Sequence, residues 1–124
     1  MSIKNKIRII NRVEKIAIDL REKYADKSLV LDELNKLSNS LNDLTMHLKG
    51  LDIPSANYDA KEINSYVEAI NLHIDILQSI IEQKDYIRLR NGMRAIKLSL
   101  KFHPIKHSYF SFIIDWFIEW IYFI

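Results

Sequence analysis

Apolar side chains recur every three or four residues along most of the chain, and the places where this phase breaks define its elements. Ile3, Ile7, Ile10, Val13, Ala17, Leu20 and Tyr24, widened by Ile9, Ile16 and Ile18, predict a helix over about 3–25. Ser28 is a candidate N-cap for the next segment, in which Val30, Leu34, Leu37, Leu41, Leu44, Leu48 and Leu51 alternate steps of four and three. Gly50 is its natural stop. Pro54 belongs to a turn, and Asp59 with Glu62 three residues on has the form of a capping box for a third helix. That helix carries Ile63, Val67, Ile70, Ile74, Leu77 and Ile81. The polar run from Glu82 to Asp85 then shifts the phase to Tyr86, Leu89, Met93, Ile96 and Leu100. This predicts a tight turn near 84, with Asp85 capping a fourth helix. Pro104 ends the fourth helix, because the residue before a proline is pushed out of helical geometry.

Heptad spacing in adjacent segments fits either an intermolecular coiled coil or an intramolecular bundle, since both use the same shallow crossing. Short connections near 26, 54, 84 and 105 favour the bundle. The fold expected is all-α: an antiparallel up-and-down bundle of four long helices plus a C-terminal aromatic-rich fifth helix at about 108–123. All of it lies in a single domain over 1–124. Only two Gly and two Pro occur, too few for the turns of sheets and barrels.

The fifth segment is the most unusual part of the chain. Residues 109–124 hold eight of the thirteen Phe, Trp and Tyr residues and only two charges, Asp115 and Glu119. At helical spacing Ser108, Ser111, Asp115, Glu119 and Tyr122 form one thin polar stripe, and apolar groups fill the rest. Eight aromatics at about 150–250 Å² each could bury on the order of 1,200–2,000 Å², beyond what a monomer leaves uncovered. Core, a second copy, another protein or a lipid surface must cover them. Trp116, Phe117, Trp120 and Phe123 are the candidate anchors, because large rigid aromatics dominate interface energetics.

Charge is unevenly distributed, although the net value is only +2. Residues 1–27 carry eight Lys and Arg against four Asp and Glu, and 84–107 carry seven against one. Residues 28–58 carry two against four, and 59–83 one against five. Helices one and four are therefore basic and two and three acidic, which suits pairing of one with two and of three with four. A surplus remains on helix four, where Arg90, Arg94, Lys97 and Lys101 share one stripe. Such a stripe, expected to be solvent-accessible, can meet an acidic protein or anionic lipid heads. Nucleic acid is not expected as a partner, because the whole chain is close to neutral and no reading motif is present.

Cysteine is absent, which removes disulfides, thiolate nucleophiles and Cys-based metal sites, and suits a cytoplasmic protein. The opening residues intersperse charges too closely for a signal-peptide core, and no run reaches the length of a spanning helix. No Glu-x-x-His motif stands near His47, His73, His103 or His107, and Pro104 separates the last two. Gly-rich phosphate loops, Gly-x-Ser-x-Gly and His-Glu-x-x-His are also missing. No catalytic residue, metal or cofactor is expected, and the chain reads as a non-enzyme. Richness in Ile, Lys and Asn suggests an AT-rich genome, bacterial or phage.

In size, helix count and its distinctive C-terminal end, the chain resembles the immunity proteins that protect bacteria from their own peptide bacteriocins; no quotable motif carries the likeness. Two functions follow as expectations. In the first the chain is a cytoplasmic interaction module, a dimer or an adaptor, binding a protein partner through its aromatic helix and its basic helix-four face. In the second it is a peripheral membrane or immunity-like protein at the inner face of the membrane, docking on anionic lipid or a membrane receptor. Asp115 and Glu119 in the middle of an aromatic helix that has no basic residue favour the first.

Overall fold

The computed structural model describes residues 2–51, 60–101 and 120–121, with the Lys101 side chain excepted. The expectations placed on Pro54, on Asp59 and on most of 108–123 therefore lie outside the described residues. Within them the regular structure is all helical: α1 (Ile3–Lys23), α2 (Ser28–Gly50), α3 (Ala60–Leu77) and α4 (Gln83–Lys101). No strand occurs among the described residues, and no helix there is long and apolar enough to cross a membrane.

Helix ends follow from local hydrogen bonding, and three of them differ from the sequence expectation. Ser2 caps α1, its Oγ accepting the Asn5 N–H at 3.2 Å, which satisfies a donor of the first turn. At α2 the extended residue before the helix is Lys27, whose side chain makes no capping bond, so Ser28 is the first helical residue and not the cap. The helix ends at Gly50 as expected, without a left-handed residue.

α3 stops at Leu77, four residues short of the last apolar position assigned to it. The N–H groups of Ile80 and Ile81 both return to the Leu77 carbonyl, at 3.0 and 3.1 Å, closing a turn over 78–80. Ile81 stays buried after leaving the helix, so its apolar spacing continues although the helix does not. Asp85 lies inside the first turn of α4. Glu82 precedes the helix, its carbonyl accepting the N–H groups of Asp85 and Tyr86 at 3.0 and 3.1 Å. Asp85 is thereby free to point into the bundle, where it is 3 % exposed.

Each helix packs on two others, in the ring α1–α2–α3–α4 and back to α1. Cross-helix contacts fix the directions. Lys23 at the end of α1 meets Asp85 at the start of α4, Glu33 early in α2 meets His73 late in α3, and His47 late in α2 meets Glu62 early in α3. Arg21 donates to Ser38 between α1 and α2. Neighbours therefore run antiparallel, as short connections dictate.

The heptad positions form the core. Leu34, Leu37, Leu41, Leu44 and Leu48 are at most 1 % exposed, and Ile70, Ile74, Leu77, Leu89 and Ile96 are equally buried. Ile18 is the exception on α1, at 46 % exposed. Between α1 and α4 the approach is close because small residues meet there. A Cβ built on buried Gly92 would lie 2.7 Å from Val13 Cγ2, and Ala17 and Ala95 are buried on the same two helices.

Candidate functional site

Closing the ring brings the two basic helices together. α1 packs on α2 and α3 on α4, yet this does not keep α1 away from α4, since a four-membered ring makes its first and last members neighbours. On their outer side they frame an open groove of about 820 Å³. Arg12 and Lys15 of α1 and Arg88 and Arg94 of α4 supply four cations to it, against one carboxylate from Asp19. Ile16, Gly92, Ala95 and Leu98 supply apolar surface, and Leu98 is 42 % exposed. Gly92 and Ala95 keep the floor low, for the same reason that they let the helices approach.

Ile121 also lines this groove. It and Trp120 are helical, and Trp120, the adjacent residue, is 51 % exposed. Of the other sequence-predicted anchors, Trp116, Phe117 and Phe123 lie outside the described residues.

The predicted basic stripe of α4 divides. Arg94 is exposed and stands on the crest between the α1–α4 groove and a smaller one of about 210 Å³ toward α3. Arg90 and Lys97 lean to the α3 side. The Lys97 ammonium donates to Asn71 Oδ1 at 3.3 Å, and Arg90 Cζ lies 5.8 Å from the Tyr86 ring centre. Arg90 is only partly exposed, with its Nε buried and unpaired, because Tyr86 and α3 cover part of it. Lys101 ends α4. Arg12, Lys15 and Arg88 are the cations that sequence reasoning did not single out. The signal was present in the charge excess of residues 1–27 combined with ring closure.

One end of the α1–α4 seam is locked by a polar cluster. Tyr24 Oη accepts the Glu82 N–H at 2.9 Å and donates to Asp85 Oδ2 at 2.7 Å. Lys23 Nζ donates to the same carboxylate at 2.7 Å and to Glu82 Oε2 at 3.0 Å. Burial pushes the Asp85 carboxyl up, but the hydrogen bonds from Lys23 and Tyr24 and the Lys23 charge outweigh it and hold it below the usual carboxylate value. Hydrogen bonds to Asp85 and then Glu82 raise Lys23, and burial raises Tyr24. Glu82 is lowered by its bond to Lys23.

Across the bundle, α2 and α3 are joined by imidazole–carboxylate pairs, His73 Nδ1 to Glu33 Oε1 at 2.5 Å and His47 Nδ1 to Glu62 Oε1 at 3.6 Å. The His47 ring also lies 5.2 Å from that of Tyr66. Among the described residues no three His, Cys, Asp or Glu side chains gather as metal ligands would.

The fold thus defines a four-helix bundle with a basic, apolar-floored groove between its first and last helices. No protein-family model, curated protein or solved structure matched the chain when it was compared with them.

Proposed function

We propose that the chain is a non-enzymatic interaction module that binds a protein partner at its α1–α4 face, with aromatic residues of the C-terminal segment as anchors. The observation that supports this reading is the groove itself: four cations border an apolar floor, with half-exposed Trp120 and Ile121 beside it. An occupant that satisfies both halves of that chemistry is amphipathic and acidic, a protein segment with carboxylates along one edge. Each exposed ion pair contributes only about 0.2–1 kcal/mol, so the cations set orientation and encounter rate. Affinity comes from burial of Trp120 and Leu98, of the kind that dominates interface hot spots.

An anionic lipid surface would be drawn to the same cations, but Asp115 and Glu119 place negative charge within the segment that would have to lie on it. The cytoplasm is the compartment this reading assigns. Photo-crosslinking in the producing cell tests it, with a reactive residue placed at Lys15, Arg94 or Trp120 and, as a control, at exposed Asn39 on α2. Adducts to one protein from the first three positions and not from Asn39 are the expected result. Adducts to lipid alone, to a second copy alone, or to none would overturn it.

A further inference from the structure

We infer that Asp19 gives the α1–α4 groove a polarity, so that among acidic amphipathic helices it selects one whose carboxylate row has an apolar residue at one end and a basic residue at the other. This rests on the groove being a protein-binding face, as proposed above, and it names the charge order of the occupant and the residue that reads it.

Levels along the groove follow from a single contact. α1 and α4 run antiparallel and Gly92 abuts Val13, so each lining residue is placed by its distance in sequence from that pair. At the helical rise of about 1.5 Å per residue, Leu98 lies about 9 Å and Arg94 about 3 Å to one side. On the other side Lys15 lies at about 3 Å, Arg88 at about 6 Å and Asp19 at about 9 Å. Arg12, only partly exposed, stands close to the level of Arg94.

The order along the groove is therefore an apolar end at Leu98 and Ala95, then the exposed cations Arg94, Lys15 and Arg88 within about 9 Å, then the exposed carboxylate of Asp19. Its two ends are chemically unlike. A helix lying along it, counted from an apolar residue over Leu98, meets the cations about four to ten residues on and Asp19 about eleven or twelve residues on. Either chain direction of the partner can satisfy this. The order of the chemistry cannot be exchanged.

That asymmetry separates occupants that net charge alone would not. Cations without Asp19 would draw any acidic helix in several registers, because exposed pairs are individually weak. With Asp19 in place, a helix whose carboxylates run the full length of the groove sets one of them against a like charge, whereas Lys or Arg at that level gains a pair. A repulsive group at one position is a means of discriminating between similar partners. Asp19 also stands four residues after Lys15 on α1, a spacing that allows a purely local role in supporting that lysine. A local role would act on every occupant alike, and this distinguishes the two.

Two synthetic helices test the point against the purified full chain. Both are stapled peptides of about 18 residues with a leucine followed by carboxylates about four to eight residues on, and they differ only about eleven residues on, where one has Lys and the other Glu. Fluorescence anisotropy at low salt should find the Lys peptide bound about fivefold more tightly, although it is the less acidic of the two. Asp19→Lys should invert the preference, and Asp19→Asn should erase most of it. Arg94→Glu should weaken both peptides, whereas Asn39→Glu, at an exposed site on α2, should weaken neither.

Tighter or equal binding of the Glu peptide by the parent chain would overturn the inference. So would an equal effect of Asp19→Lys on both peptides, an effect at Asn39 matching that at Arg94, or no binding of either peptide. Crosslinking of one protein in the cell together with no peptide preference would remove the charge order and leave the proposed function standing. A clear preference without crosslinks would do the reverse.

Discussion

Replacing Gly92 by alanine sets two effects of opposite sign against each other. Gly92 sits in the interior of α4, where alanine is favoured over glycine by about 0.8–1.0 kcal/mol in helical propensity. On propensity alone Gly92→Ala should stabilise. The new Cβ, however, would lie 2.7 Å from Val13 Cγ2, 3.7 Å from its Cβ and 3.8 Å from its Cγ1. The first distance is about 1 Å inside a comfortable carbon–carbon contact. Val13 is fully buried and β-branched, held by its helix to one strongly preferred rotamer, so the methyl cannot swing aside.

Overpacking of this kind costs about 1–3 kcal/mol, which exceeds the propensity gain. The expected net effect is a loss of about 1 kcal/mol, read as a lower urea midpoint at unchanged slope and a fall in Tm of roughly 3–6 °C for a chain of this size. A double-mutant cycle isolates the cause: in a Val13→Ala background, Gly92→Ala should become stabilising, because the clash has gone and the propensity gain remains. A higher midpoint for Gly92→Ala in the parent chain would refute the close-packed α1–α4 seam.

Four other outcomes are expected. Tyr24→Phe should cost about 1–3 kcal/mol in urea denaturation, because it removes the acceptor for the Glu82 N–H and a donor to buried Asp85. The Asp85 carboxyl is lowered in the folded state, so its contribution is fully present above the ordinary aspartate range and is lost as pH falls through the lower folded value. Stability should therefore drop below about pH 4, and Asp85→Asn should show a shallower acid slope in the same titration. Leu41→Asp, at 1 % exposure in the leucine seam, should cost several kcal/mol, and an unchanged Tm would place the seam in water. Arg88→Glu with Arg94→Glu, both exposed, should leave stability within about 0.5 kcal/mol while weakening partner crosslinking, and binding by the parent chain should weaken with added salt.

The core was legible because heptad spacing is a direct record of burial: Leu34 to Leu48, Ile70 to Leu77 and Tyr86 to Leu100 occupy the interior they predict. The α3–α4 corner was misread for the same reason. Ile80 and Ile81 continue an apolar rhythm through a turn that contains neither Gly nor Pro, so nothing in the local pattern marks the exit at Leu77. Asp85 looked like a cap because aspartate so often is one near a helix start. Its real partners, Lys23 and Tyr24, are 62 and 61 residues away and leave no trace in spacing. The basic groove was half legible. Both basic helices were visible as charge excesses, but their adjacency is a property of the closed ring, and pairwise complementarity between consecutive helices directs attention away from it.

That ring closure has a consequence for how the molecule is made. The Lys23–Asp85 bridge joins residues 62 apart, and at a synthesis rate of roughly 5–20 residues per second a nascent chain carries a finished α1 for about 3–12 s before α4 begins to emerge. During that interval Val13 and Ala17 have no Gly92 or Ala95 to meet, and neither wall of the groove has its counterpart. Premature termination between Gly50 and Arg88 yields a product that keeps the leucine seam of α2 but presents no groove at all. If this face binds a partner as proposed, recognition would be reserved for copies that have added α4, and a shorter chain would be silent to that partner.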